Sequence, residues 1–177
     1  MPKTKTQGIV FGIIMSITMA YGMEVYNVAI KMGFTLMEGG LSNMTNIVFW
    51  EALKEAAYMW LFVFIFSTLF GNKTGRSLAG KITNPERDNP FFVMLMTQCC
   101  TVLVMCPTMS LVASLLFNVF LAHQSILQLP AIWVGTILKN FPMALLWNLF
   151  AAGPLTRLLF RTIFQKQLAE QETITKQ

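Results

Sequence analysis

A chain of 177 residues that is 55% hydrophobic and 12% charged cannot cover a water-facing surface, because a soluble domain carries about twice that share of charge. Its solvent must be partly lipid, and its length suits one compact unit. The net charge of +5 does not mark a nucleic-acid partner, since the basic residues sit in loops and tails between long apolar runs and suit a membrane surface.

The chain opens with Lys3 and Lys5 ahead of an apolar stretch, as a signal peptide would. That stretch runs past a signal core and no A-x-A site follows, so it is read as an uncleaved first span, Gly8 to Ile30. A loop follows over 31–46, where Gly33, Gly39, Gly40 and Ser42 gather. The second span is Ile47 to Phe70. Residues 71–90, basic and holding Gly71, Gly75, Gly80, Pro85 and Pro90, predict a second loop. The third span is Phe91 to Ala122, and a short link over 123–130 leads to the fourth, Ala131 to Pro154. Each run can cross a hydrocarbon core of about 30 Å as a helix, and backbone in lipid must satisfy its own hydrogen bonds. The expected fold is all-α: a four-helix transmembrane bundle over 1–164 with a polar tail over 165–177. Gly153-Pro154 is expected to break or bend the fourth helix, and Pro107 to kink the third. Beyond Pro154, leucines mixed with Arg157 and Arg161 suit an amphipathic end at the headgroups.

The first span carries Gly8, Gly12, Ser16, Ala20 and Glu24 at a spacing of four, a face of small residues ending at a carboxylate. Such a face lets helices approach closely in lipid. The sharper reading is a narrow path leading to Glu24. A charge within an apolar span costs a few kcal/mol on insertion scales, so Glu24 should face the interior, be paired or stay protonated. Asn27 shares its face. Glu51, Lys54, Glu55 and Tyr58 fall on one face of the second helix, and Lys139 and Asn140 stand near the outer end of the fourth, with Asn148 two turns below. The expectation is one polar cluster of Glu24, Glu51, Lys54, Glu55 and Lys139. It holds three acids and two bases, so one acid lacks a partner. The alternative leaves Glu51, Lys54 and Glu55 among the headgroups, with Lys139 snorkelling outward.

The three cysteines, Cys99, Cys100 and Cys106, lie inside one apolar run, which argues against a disulfide framework. Cys99, Cys106, Ser110, Ser114 and Asn118 recur at helical spacing among methionines. Soft sulfur suits Cu(I), but no metal-ligand spacing is present and methionine packs well in helical interiors. No metal or cofactor is expected. The lone His123, beside Gln124, cannot build a metal site or a catalytic dyad. No phosphate loop, G-x-S-x-G, H-E-x-x-H or dinucleotide fingerprint is found.

Ten of the thirteen basic residues fall on one side of this topology, and only Lys31, Lys54 and Lys139 fall on or near the other. The positive-inside rule then puts both termini and the middle loop in the cytoplasm, with Trp50 and Trp133 near the outer interface. Phe11 to Ser16 resembles Phe92 to Thr97, and Arg76 pairs with Arg157 at the same spacing. Two tandem parallel hairpins are one reading of this likeness and chance matching of apolar sequence is the other. The run Gly22-Met23-Glu24-Val25-Tyr26-Asn27 after a short basic start, with Asn84-Pro85 in the middle loop, resembles the bacterial membrane proteins grouped as domain of unknown function 2798. The likeness extends over two halves of the chain. It implies a multi-pass protein of the bacterial cytoplasmic membrane and no activity, so no catalytic residue is carried over.

Three functions compete. A small solute or ion transporter or channel-like component, passing a solute or proton and working as a homo-oligomer, is favoured by the intramembrane carboxylate and the small-residue face. A non-catalytic accessory or scaffold membrane protein is favoured by the lack of chemical motifs. A membrane enzyme acting on lipid or an envelope precursor would have to rest on Glu51 and Glu55. The first is preferred, and no enzyme activity is expected.

Overall fold

The computed structural model describes residues 4–35, 43–84, 86–121, 123 and 126–165. Gly39, Gly40, Ser42, Pro85, Gln124 and the tail beyond 165 therefore lie outside the described residues, as does the side chain of Asn118. Four helices account for nearly all of what is described, and no strand occurs among these residues. All four are long and apolar enough to cross a membrane. They are α1 (Lys5–Lys31), α2 (Asn46–Ile82), α3 (Pro90–Ala113, running on as a wider π-type helix over Ser114–Leu121) and α4 (Ile126–Ile163).

Local chemistry fixes the helix ends. Thr4 and Gln7 form a reciprocal capping box at the start of α1. At its other end Gly33 takes φ 87°, the left-handed conformation that only glycine adopts cheaply. The amide of Gly33 then donates to the carbonyl of Ile30, and that of Phe34 to Ala29, which is the double bond of a Schellman stop. Phe34 folds back on the Val28, Ala29, Val48 and Ala52 cluster. Helix α3 opens with Asn89 accepting from the Phe91 amide and with Pro90 at a position whose N–H would be unpaired anyway.

Two boundaries differ from the composition's forecast. The expected loop over 71–90 is helical as far as Ile82, so the connection shrinks to the residues before Pro90. Gly71 and Gly75 do not reverse the chain there. They let α2 press on α3, since a Cβ on Gly71 would overlap Met105 and one on Gly75 would come 2.8 Å from Thr101 Cα. The fourth span likewise does not break at Gly153-Pro154, and α4 continues to Ile163. A π turn over Asn148–Ala152 precedes Pro154, and its wider spacing accommodates a residue without an N–H. Helix α3 also runs unbroken through Pro107, whose carbonyl accepts a hydrogen bond from Trp133 Nε1 at 2.8 Å, tying α4 to α3.

The four helices close a ring. Helix α1 packs on α2, the last segment of α2 (Asn72–Ile82) on α3, α3 on α4, and the last segment of α4 (Gly153–Ile163) back on α1. The two interrupted helices match residue for residue. Their π turns span Ser67–Gly71 and Asn148–Ala152, and the following segments Asn72–Ile82 and Gly153–Ile163, an offset of 81 throughout (67 to 148, 82 to 163). Phe11 and Phe92, and Arg76 and Arg157, stand at that same offset.

Candidate functional site

The ring surrounds a partly open cavity of about 180 Å³ between all four helices. From α1, Gly12, Ser16, Ala20 and Glu24 line it, the spacing-of-four stripe seen in the sequence, while Gly8, where an added Cβ would meet nothing within 4 Å, stands outside. From α2 come Met59, Val63 and Ser67; from α4 come Asn140, Ala144 and Asn148. These two triplets are again displaced by 81 residues (59 to 140, 67 to 148), so the same faces of equivalent helices meet across the cavity. The α3 wall brings Cys106 and Ser110, whose Sγ and Oγ lie 3.9 Å apart.

The cavity wall is mostly apolar, with a few polar atoms that have nothing to bond. Glu24 is 3% exposed, and Asn140 and Asn148 are each 5% exposed. One oxygen on each of these side chains, Glu24 Oε2, Asn140 Oδ1 and Asn148 Oδ1, is buried without a hydrogen-bond partner among the described residues. A buried polar atom left unpaired costs about 1–3 kcal/mol, and native proteins leave few of them. Three in one cavity, all acceptors, need a reason. The Asn148 amide nitrogen meanwhile donates weakly to Met19 Sδ at 3.7 Å.

Around the end of the cavity near Glu24, the predicted residues separate into two groups. Asn27 and Glu55 lie beside the Glu24 carboxyl, and Lys31 and Lys139 are close enough to act on it electrostatically. Lys31 Nζ holds Glu55 Oε1 at 3.2 Å and sits 4.2 Å above the Phe117 ring. Tyr26 donates from its hydroxyl to the Lys139 carbonyl at 3.1 Å, which sets α4 against α1 at this level. Glu51 and Lys54 do not join. They pair with each other at 2.7 Å on exposed side chains. The reason is helical phase: Val48, Ala52, Ala56 and Met59 turn toward α1 and carry Glu55 with them, whereas Lys54 falls about 140° round the helix from that stripe. Glu51 and Glu55 are thus held by different lysines and do not form a carboxyl pair.

Lys31 is the member that the predicted cluster omits. It stands seven residues after Glu24 and so on the same face of α1, a signal present in the sequence. With Lys31 taking Glu55, the acid of this cluster left without an ion pair among the described residues is Glu24. Among the described residues no group of three or more His, Cys, Asp or Glu side chains is placed to hold a metal. Two indole contacts fix the cavity's walls. Trp147 Nε1 donates to the Thr18 carbonyl at 3.0 Å, and the absence of a side chain at Gly22 makes room for the Trp147 ring.

Residues 4–83, which are α1 and α2, match the family model described as a domain of unknown function, DUF2798. No curated protein and no solved structure matches the chain significantly.

Proposed function

By residues 4–83 the chain belongs to the DUF2798 family, and we propose that it is a small transporter or channel-like component of a bacterial cytoplasmic membrane, with the cavity as its solute or ion site and Glu24 as the residue that engages the passenger. The distribution of side-chain size supports the membrane setting. The buried positions are dominated by small residues such as Ala20, Ala52, Ala56, Ala144 and Ala152, while Leu61, Leu69, Leu138 and Phe150 point outward. A water-soluble bundle buries its large apolar side chains; helices in lipid approach through small ones.

Charge supports the orientation. Lys73, Arg76, Lys81, Arg157 and Arg161 gather on the last segments of α2 and α4, at the end where α1 begins, and Glu24, Lys31, Glu55 and Lys139 gather at the opposite end. With the basic end in the cytoplasm, both termini are inside and the Glu24 cluster lies in the outer half of the bilayer. The offset of 81 residues supports two tandem hairpins of parallel orientation, α1–α2 and α3–α4, with the site between them.

The observation that carries the reading is Glu24: a carboxyl 3% exposed, with no ion pair among the described residues and with one oxygen unbonded among them, facing a cavity. A membrane protein keeps so expensive a group where it handles a charge or a proton. Proteoliposomes containing the full chain and loaded with ion- or pH-sensitive dye test this. Flux above empty vesicles that is abolished in Glu24→Gln is expected, and no flux in any imposed cation, anion or proton gradient would refute it.

A further inference from the structure

We propose that the passenger is a compact organic ammonium ion, its charged head held by Glu24 and the Asn140 oxygen and its short apolar body lying among the methionines of the cavity. This deepens the transport reading and rests on it for the cavity's role, but not for the binding chemistry.

The unbonded atoms define the head group. Glu24 Oε2, Asn140 Oδ1 and Asn148 Oδ1 are all acceptors, so the missing partner is a donor. Helix register puts two of them together. Tyr26 meets Lys139 and Trp147 meets Thr18, so α1 and α4 run antiparallel and Glu24 lies level with the turn that holds Asn140. Asn148, about 12 Å further along α4, stands beside Met19 as a second, uncharged stop. Lys31 is taken by Glu55 and Lys139 acts on Glu24 only at a distance, so neither brings a donor to Oε2; water would supply a donor but no charge. An ammonium group supplies both donors and charge, with hydrogen bonds about twice as strong as neutral ones.

The rest of the wall defines the body. Met15, Met19, Met23, Met59, Met105 and Met109 all line the cavity. Two of these sulfurs are already engaged, Met15 by the Thr156 hydroxyl at 3.4 Å and Met19 by Asn148. Flexible, polarizable thioethers adapt to an alkyl surface. A hard divalent cation instead takes six or more oxygens around one point, whereas the oxygens of this wall are spread along it, with Asn148 about 12 Å from Asn140 along α4. Size sets the scale. A cavity of roughly 150 Å³ holds one benzene molecule, so about 180 Å³ suits a ligand only slightly larger, such as an alkylamine of a few carbons.

The test uses the full chain in lipid nanodiscs with its methionine methyl groups labelled for NMR. n-Butylammonium chloride is titrated in, with neutral 1-pentanol as the isostere and sodium chloride as the ionic-strength control. Saturable shifts are expected at the six cavity methionines but not at Met32 and Met44, which are exposed. Pentanol should bind about tenfold or more weakly, and Glu24→Gln should lose a similar factor, as for removal of a charged hydrogen bond. Asn140→Leu, which leaves the charge in place, should lose a smaller factor, and its unfolding midpoint shows that the bundle survives. Equal binding of pentanol, unaltered affinity in Glu24→Gln, or no shift at the cavity methionines would overturn the proposal. Ammonium binding without liposome flux would leave this inference standing and remove the transport reading; flux of another ion without ammonium binding would do the reverse.

Discussion

Adding a single methyl group at Gly22 should disrupt the contact that holds α4 on α1. The ideal Cβ of an alanine there would fall within the Trp147 indole, overlapping its ring carbons and nitrogen. The ring cannot simply swing away, because its Nε1 is committed to the Thr18 carbonyl at 3.0 Å. Overpacking of this kind costs about 1–3 kcal/mol. Losing the hydrogen bond between these half-buried groups adds about 0.5–1.5 kcal/mol more. Gly22→Ala is therefore expected to destabilise the bundle by roughly 1.5–4.5 kcal/mol, less about 1 kcal/mol regained from the better helix propensity of alanine. The assay is reversible unfolding in mixed micelles, with Trp147→Leu and the double variant completing a mutant cycle. Trp147→Leu removes the obstacle, so in that background Gly22→Ala should be neutral or slightly stabilising. Equal cost of Gly22→Ala in both backgrounds would refute the assigned contact.

Other outcomes follow from the same geometry. Asn148→Leu should raise the unfolding midpoint, by about 1 kcal/mol, because it removes an unbonded buried oxygen, yet lower liposome flux; a variant that loses stability would contradict this account of the residue. Gly33→Ala should cost about 1 kcal/mol in the same unfolding assay, since its φ of 87° is unfavourable for any side chain, and an unchanged midpoint would count against the Schellman stop. Cysteines placed at Arg87 and at Thr4, in a chain whose native cysteines are replaced, should resist an impermeant thiol reagent applied to whole cells, while one at Asn43 should react. Labelling of the first two from outside would reverse the orientation.

Much of this architecture is legible in the residues themselves. The four apolar runs, their order and the Gly12, Ser16, Ala20 and Glu24 stripe are readable because helices long and apolar enough to cross a membrane show as unbroken apolar runs, and small residues at a spacing of four mark where such helices pack closely. The extra turns of α2 beyond Phe70 are not. Gly71, Gly75 and Gly80 with their basic neighbours have the composition of a water-exposed loop, and only the close approach of Met105 and Thr101 shows why two of these glycines stand in a helix. The site is half legible. Glu24, Asn27, Glu55, Lys139 and Asn140 gather as their positions suggest, but the Glu51 and Lys54 pair is turned away by the phase of α2, and Lys31 takes the role expected of Lys54. Sequence spacing gives the faces of one helix; which face meets a neighbour depends on the other three. The repeat is faint in residue identity and plain in backbone, because the matching π turns at Ser67–Gly71 and Asn148–Ala152 share hardly a side chain.

Carbodiimide labelling probes the unpaired carboxyl most directly. Dicyclohexylcarbodiimide partitions into lipid and reacts with carboxyl groups that ion pairs and water do not protect. Applied to the full chain in membranes and mapped by mass spectrometry, it should modify Glu24 at close to one adduct per chain and leave Glu51 and Glu55 untouched, because lysines hold both of those. Adducts at Glu51 or Glu55 with Glu24 unmodified would contradict the placement of Glu24 as the acid without an ion pair in the cavity between the four helices.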